Sequence, residues 1–255
     1  NRFTYTTLFR SSQSRKIFLQ GEFIVMNHND KDHEQKQLTE NAKFGINSLK
    51  LNLLPDSLIF EMPAWAMVDI HDYDSTLLVD IPYATEKNIT GKKLYACNKC
   101  YLRYTVVKSL MKVRKIFLEK GVDIKMLDCY RPLAVQKILY EAFPVPGYVA
   151  DTIGGSIHNR GTAVDLTLTD LQGKELEMGS AYDELSFRSN INFKNLPDSV
   201  IRNRFLLRET MSENGFVPIK SEWWHFESAE ARKYPKTNDP FPCDYSPLKA
   251  KEDKK

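Results

Sequence analysis

Long apolar runs are missing from this sequence of 255 residues, and no stretch approaches the roughly 20 apolar residues that a membrane-spanning helix needs. An excess of one charge is missing as well, because 36 basic and 33 acidic residues leave a formal net charge of only +3. A dedicated nucleic-acid-binding protein would concentrate basic charge on one face. The composition therefore predicts neither a membrane span nor a nucleic-acid partner.

Cysteine is scarce, with four residues in the whole chain. Cys97 and Cys100 form a single CxxC, a spacing found in zinc and redox sites. A structural zinc site would need a second pair of ligands, and Cys129 and Cys243 are isolated from each other. We therefore expect Cys97 and Cys100 to be an ordinary buried or disulfide-bonded pair.

The sequence does contain ample material for a core, since 42% of its residues are hydrophobic and it has 14 Phe, 12 Tyr and 3 Trp. Residues 27–41 are instead polar and highly charged, which is typical of an exposed loop or linker. We divide the chain into an N-terminal extension with this linker at 1–66, a main domain at 67–241 and a charged tail at 242–255.

The main domain combines the sequence patterns of strands and helices. Strands are predicted at 67–70 and 122–130, and helices at 101–120, 132–143 and 198–214. Gly121 stands where the cap of the first helix belongs. Because strands and helices alternate without a regular βαβ rhythm, we expect an α+β fold, with a small antiparallel or mixed sheet flanked by helices.

The segment SIHNRGTAVDLTL contains two candidate metal ligands, His158 and Asp165. Gly161 can make the tight turn between the loop that carries His158 and the strand that carries Asp165. Alternate apolar side chains of this strand can pack into a core, so that Asp165 points to the opposite, pocket-facing side. A metal ligand needs such a rigid placement.

The segment EWWHF at 222–226 contributes Glu222 and His225. Residues three apart point to opposite sides of a regular strand. Either the segment bends, or these two side chains approach a common site from different directions. Trp223 and Trp224, which lie between them, are expected to wall the site and exclude water.

His158, Asp165 and His225 together match a catalytic zinc site, in which two imidazoles and a carboxylate leave the fourth position open. Zinc lowers the pKa of its bound water to roughly 7 and polarises the scissile carbonyl. A second carboxylate must then pass the proton to the leaving amine, and Glu222 is the candidate. Non-haem iron oxygenases use the same ligand set, but their first His and carboxylate usually lie closer together in sequence, so we favour zinc.

These residues resemble the D-alanyl-D-alanine dipeptidases of the VanX type, which are zinc peptidases acting on peptidoglycan peptides. The family pattern SxHxxGxAxD is matched by Ser156, His158, Gly161, Ala163 and Asp165, and the pattern ExWH by Glu222, Trp224 and His225. Further matches are IPYATEKNITGKKLY at 81–95, the turn Tyr130-Arg131-Pro132 and EMGSAYDE at 177–184. The resemblance extends over most of the chain, from residue 67 to residue 241.

The resemblance implies a zinc site at the face of the sheet, with His158, Asp165 and His225 as ligands. It also implies that Glu222 acts as general base and acid. Arg131 stands at a strand-to-helix junction, and the resemblance implies that its guanidinium stabilises the oxyanion of the tetrahedral intermediate. A structural salt bridge is the alternative role for Arg131.

A dipeptidase must also bind both ends of a small substrate. The resemblance favours Asp183 as the partner of the substrate ammonium, with Ser156 forming a hydrogen bond near it and Tyr83 lining the pocket. Asp183 could equally cap a helix, and the neighbouring Glu184 is a rival for the ammonium.

The expected function is zinc-dependent hydrolysis of D-Ala-D-Ala, or of a similar short D-containing dipeptide, by metal-bound water. A D,D-carboxypeptidase acting on longer muropeptides and a non-catalytic zinc-binding module of the same fold are the alternatives. The partner is a small dipeptide, and the oligomeric state is left open. We place the protein in the cytoplasm or periplasm of a bacterium. The lack of an initiator Met favours the periplasm, although residues 1–20 lack the apolar segment of a signal peptide.

Overall fold

The computed structural model describes residues 4–10, 16–22, 61–145, 147–151, 153–240 and 243, and it divides into two compact units, Asn1–Ile46 and Asn47–Lys255. In the first unit, strand β1 (Thr4–Arg10) pairs antiparallel with β2 (Lys16–Glu22). The predicted linker, and all of the predicted tail except Cys243, lie outside the described residues. The division of the chain at residue 66 stays a prediction.

The second unit contains a five-stranded mixed sheet. Its strands are β4 (Leu78–Val79), β6 (Asp123–Asp128), β7 (Ala163–Thr169), β8 (Phe216–Pro218) and β9 (His225–Ser228), arranged in the order β4-β6-β7-β9-β8. The pair β4 and β6 is parallel, and the other neighbouring pairs are antiparallel. A separate antiparallel pair joins β3 (Met67–Asp69) to β5 (Tyr101–Arg103).

Three α-helices accompany these strands in the described part of the chain: α1 (Tyr104–Glu119), α2 (Leu133–Ala142) and α3 (Asp198–Glu213). Helix α1 contacts β6, and α3 contacts β7 and β8. The predicted α+β class is therefore confirmed. None of these helices combines the length and the apolar character needed to cross a membrane.

The first predicted helix begins three residues later than expected. Residues 101–103 are strand β5, because their backbone pairs with β3. The periodic apolar residues of α1 are fully buried, as predicted from their spacing. Gly121 adopts φ +80°, the left-handed conformation that suits a helix C-cap, and its N–H donates to the carbonyl of Leu118.

The four cysteines form two disulfides, and both join distant parts of the chain. Cys97 pairs with Cys243, and Cys100 pairs with Cys129. Cys97 and Cys100 were expected to be an ordinary buried or disulfide-bonded pair, and a disulfide between the two is ruled out because the sulfur of each is bonded to a different, distant segment. The second disulfide connects the residue before β5 to the residue after β6, which lies next to Tyr130 and Arg131.

A buried ion cluster connects α1 to β6. The guanidinium of Arg114, which has no exposed surface, donates to both carboxylate oxygens of Asp123 at 2.8 and 2.9 Å and also contacts the carboxylate of Asp74. Thr76 accepts two further hydrogen bonds from Arg114, at its hydroxyl and at its carbonyl. A buried cation is tolerated when it is paired in this way.

Replacing Arg114 with Met should lower the free energy of unfolding by about 3–5 kcal/mol, because two buried carboxylates lose their cation. Urea unfolding of the two proteins measures the difference. Lys137→Met on α2 is a suitable control, since the ion pair of Lys137 with Glu141 is exposed and should contribute less than about 1 kcal/mol. An Arg114→Met protein as stable as the parent would contradict the assignment.

Candidate metal centre and active site

A short 3-10 turn, Ile157–Arg160, presents His158. The Ser156 hydroxyl accepts a hydrogen bond from the backbone N–H of His158 at 3.2 Å, and the Asn159 side-chain oxygen accepts one from the backbone N–H of Ser156 at 2.7 Å. Gly161 ends the turn at φ +68°, and an added Cβ there would lie 2.6 Å from the Met67 sulfur. The predicted tight turn before the strand is confirmed, and only glycine fits it.

Asp165 and His225 meet because their strands pair in register. They are direct partners across the antiparallel pair β7 and β9. His225 is the first residue of β9, and Glu222 lies between a bend at 220–221 and a turn at 223–224 that leads into the strand. Of the two predicted arrangements, the bend is the one observed, and it lets Glu222 and His225 approach the same point.

The three predicted ligands converge. His158 Nε2 lies 3.2 Å from Asp165 Oδ1 and 3.1 Å from His225 Nδ1, and the last two atoms are 2.9 Å apart. Ligand atoms of a tetrahedral zinc, at about 2.0–2.2 Å from the metal, are separated by roughly 3.3–3.6 Å. All three residues are buried, so the triangle fits one small cation with only slight expansion.

Hydrogen bonds around the cluster fix how the ligands face it. His158 Nδ1 lies 2.6 Å from the carbonyl of Cys129, which can only accept, so this nitrogen carries the proton and Nε2 is left for a metal. The Tyr182 hydroxyl donates to Asp165 Oδ2 at 3.0 Å, and Glu227 Oε1 lies 3.7 Å from His225 Nε2. These are the outer partners that orient ligands in metal sites.

The electrostatics of the cluster favour positive charge. Burial alone would lower the pKa of His225, but the hydrogen bonds with Asp165 and Glu227 raise it to about 10. Burial opposes ionisation of Asp165 too, yet His158 and His225 hold its pKa well below the usual range. A position that stabilises an imidazolium this strongly also suits a metal cation.

Glu222 stands beside the cluster without belonging to it. Its Oε2 lies 4.0 Å from His225 Nδ1, and the residue is buried. Burial raises the pKa of Glu222 to about 8, with the negative charge of Asp165 adding to the effect. A carboxyl group with its pKa near neutrality can both accept and return a proton.

Arg131 lies on another side of the cluster. Its Nη2 is 4.0 Å from Asp165 Oδ2, and its guanidinium lies 5.3 Å from the centre of the Tyr83 ring. Burial would lower the pKa of Arg131, but Asp128 raises it well above the ordinary value, so the group is always charged. Asp128 accepts hydrogen bonds from Nε at 3.0 Å and Nη2 at 2.7 Å. The salt bridge considered for Arg131 therefore exists, and it leaves the guanidinium at the site.

Asp183 lines the same cavity. The Tyr83 hydroxyl donates to Asp183 Oδ2 at 2.6 Å, and burial raises the pKa of Asp183 to about 7. Asp183 is also the one described non-glycine residue with positive φ, at 58°, and such strained positions cluster at functional sites. Glu184 instead accepts from the backbone of Ala181 and the hydroxyl of Ser186. Glu184, the alternative partner for the substrate ammonium, therefore makes hydrogen bonds within a local turn instead.

All the predicted site residues line one cavity of about 200 Å³. They are Tyr83, Arg131, Ser156, His158, Asp165, Asp183, Glu222 and His225. The structure brings the set together, while the role of each side chain stays a prediction. Trp223 and Trp224, which were expected to wall the site, are absent from the described lining, because both are buried in the hydrophobic core, where Trp224 packs against Tyr182.

Several supporting residues were missed by the sequence reasoning. Tyr182 lies within the quoted segment EMGSAYDE, and Asp128 lies three residues before Arg131, so both were close to recognised landmarks. Gln136, which also contacts Arg131, carries no motif and gave no signal. The partner of His158 is a backbone carbonyl, which residue type does not specify.

Comparison with known proteins gives a consistent set of relatives. The family model described as D-ala-D-ala dipeptidase (peptidase M15) matches residues 66–246. A D-alanyl-D-alanine dipeptidase of Escherichia coli (strain K12) is 41% identical over 181 residues, covering 71% of this chain and 94% of that protein. One from Enterococcus faecium is 30% identical over 187 residues, covering 64% and 91%. A solved VanY D,D-pentapeptidase in complex with Zn(II) is 16% identical, with a TM-score of 0.35 over 55% of this chain and 80% of that one.

Zinc binding should compete with protons. Because His225 has a pKa of about 10 in the metal-free protein and must lose its proton to bind, the apparent zinc affinity should rise roughly tenfold per pH unit between about pH 6 and 8. Competition with a chromophoric chelator measures it. His225→Ala should lose the site, whereas His71→Ala should keep it, since the His71 ring contacts the carbonyl of Leu77. An affinity independent of pH would contradict the assignment.

Proposed function

The chain belongs to the D-ala-D-ala dipeptidase family of peptidase M15, and we propose that it is a zinc-dependent dipeptidase that hydrolyses D-Ala-D-Ala or a similar short D-containing dipeptide. The observation that carries the proposal is the shared cavity. It holds a buried ligand triangle, a carboxyl group with a raised pKa and a permanently charged guanidinium. Metal binding alone would need only the triangle.

His158, Asp165 and His225 would hold the zinc ion. When bound, zinc supplies Lewis acidity, which activates a water molecule and polarises the scissile carbonyl. Glu222 is proposed to take the proton of the attacking water, and its distance of 4.0 Å from His225 Nδ1 supports this role. Its raised pKa lets it hold that proton and deliver it to the leaving amine.

Arg131 is proposed to stabilise the negative charge that develops on the carbonyl oxygen. Asp128 holds its guanidinium at the site by two hydrogen bonds before any substrate arrives, which limits the reorganisation needed during the reaction. Arg131 is buried, and a low local dielectric strengthens the interaction between a fixed charge and a developing oxyanion.

The free ammonium of a dipeptide is proposed to bind Asp183. Tyr83 holds one oxygen of this carboxylate, and Ser156 lines the same cavity. An ammonium partner at a fixed distance from the scissile bond favours dipeptides over the longer muropeptides that a D,D-carboxypeptidase would trim. The presence of Glu222 and Arg131 likewise disfavours a non-catalytic zinc-binding module.

We further propose that the protein works in an oxidising compartment, in agreement with the periplasmic preference. The support is that none of the four cysteines is free and both disulfides join distant segments. Structural disulfides form and persist outside the reducing cytoplasm.

Replacing Glu222 with Gln should keep zinc but lower kcat by roughly two to four decades, because the amide cannot accept the proton. Zinc content and D-Ala-D-Ala hydrolysis are measured together. Glu230→Gln is the control, since this exposed carboxylate pairs with Lys233 away from the cavity. A Glu222→Gln enzyme with the parental rate would show that another group carries the proton.

Replacing Asp183 with Asn tests the ammonium subsite, and Asn tolerates the positive φ at this position. The kcat/KM for D-Ala-D-Ala should fall about 10- to 100-fold, as expected for losing a charged hydrogen bond. Hydrolysis of N-acetyl-D-Ala-D-Ala, which has no ammonium to bind and which we expect to be slow in the parent, should change little. Glu177→Gln, an exposed carboxylate outside the cavity, is the control. Equal losses on both substrates would rule out recognition of the ammonium by Asp183.

A further inference from the structure

Gln136 is a buried polar residue of helix α2 that faces the candidate active site. Its side chain is 1% exposed, and it is the polar member of the three buried residues of the helix, beside Val135 and Leu139. Its amide oxygen accepts a hydrogen bond from Arg131 Nη1 at 3.0 Å. Its amide nitrogen donates to the carbonyl of Ala150 at 2.8 Å. A single planar group therefore joins Arg131 to the segment around Ala150.

Asp128 by itself fixes the Arg131 guanidinium incompletely. Both of its hydrogen bonds, from Nε and from Nη2, converge on one oxygen, Oδ2. The other oxygen of Asp128 accepts from the Tyr95 hydroxyl and the backbone N–H of Cys129. Two bonds to a single atom leave the guanidinium able to pivot about that atom. Gln136 provides the second fixed point, on the opposite nitrogen Nη1.

The second hydrogen bond of Gln136 reaches the wall of the cavity. Ala150 and its neighbours Tyr148 and Val149 line the cavity that contains Arg131 and Glu222. This segment follows α2 in sequence and has no regular secondary structure of its own. Its position beside the site therefore depends on individual contacts such as that between Gln136 and the Ala150 carbonyl.

We propose that Gln136 is a positioning residue for hydrolysis: it aims the Arg131 guanidinium at the carbonyl oxygen of the substrate and holds the cavity wall at Ala150. The inference rests on the proposed function, in which Arg131 stabilises the developing oxyanion. The two bonds predict separable effects, because aiming Arg131 acts on the reaction step and holding the wall acts on substrate binding.

Two substitutions separate the two bonds. Gln136→Leu removes both and should lower kcat roughly ten- to a hundredfold, the range that a misplacement of about 1 Å can cause. Gln136→Glu keeps an acceptor for Arg131 but loses the donor to Ala150. Its kcat should therefore be close to that of the parent, whereas both variants should have a raised KM because the contact with Ala150 is lost. Zinc content should equal that of the parent in both. Lys137→Leu, at the exposed neighbouring position on α2, is the matched control.

An Arg131→Ala background distinguishes positioning from a general structural role. If Gln136 acts through Arg131, Gln136→Leu should cost no further kcat there. The same loss in both backgrounds, a parental kcat for Gln136→Leu, or a Gln136→Glu enzyme as slow as Gln136→Leu would each overturn the inference. Should Gln136→Leu fail to fold, Gln136→Met takes its place in the same comparisons.

The same experiment separates this inference from the proposed function. A parental rate for Arg131→Ala alone would remove the proposed role of Arg131, and the positioning role with it. A slow Arg131→Ala enzyme combined with a fast Gln136→Leu enzyme would overturn the positioning role alone and leave the proposed function standing.

Discussion

The pairing of Asp165 with His225 across β7 and β9 is the constraint on which the candidate site depends. Side chains alternate along a strand, so a slip of one residue between these strands would turn the carboxylate and the imidazole to opposite faces of the sheet. The register is held by the surrounding core, because Val164 and Phe226, the neighbouring partners, are both buried. With this register fixed, Asp165 and His225 define one point, and the turn at His158 and the segment of Glu222 bring their side chains to it.

The surroundings shift the pKa values of the carboxyl groups around this point in opposite directions. The imidazoles keep the pKa of Asp165 well below its usual range, whereas burial raises the pKa of Glu222 to about 8 and that of Asp183 to about 7. Neighbouring acids with different pKa values can take different roles in a reaction. The permanently ionised acid suits a metal ligand, and an acid that titrates near neutrality suits proton transfer. The imidazoles thus keep one acid ionised, while burial keeps another near neutrality within the same cavity.

The convergence of His158, Asp165, His225 and Glu222 was predictable because a metal site requires particular residue types, which stand here in short motifs. Three features were not predictable. Two of them arise from pairing between distant segments, and the third from the direction in which side chains beside the site point. Residues 101–103 have helical periodicity but become strand β5 through contact with β3. Cys97 and Cys100 each find a remote partner. Trp223 and Trp224 turn to the core, because a sequence position beside a ligand does not decide the face on which a side chain lies.

Two buried arginines are paired in different surroundings. Arg114 directs five hydrogen bonds at Asp74, Thr76 and Asp123, which uses all five N–H donors of a guanidinium. Arg131, at 9% exposed, is less completely buried, and it directs hydrogen bonds at Asp128 and Gln136. Unlike Arg114, it lies in the wall of the cavity that His158, Asp165 and His225 also line. A permanently charged group in such a wall can act on a molecule bound in the cavity, whereas the charge of Arg114 is confined to its protein partners.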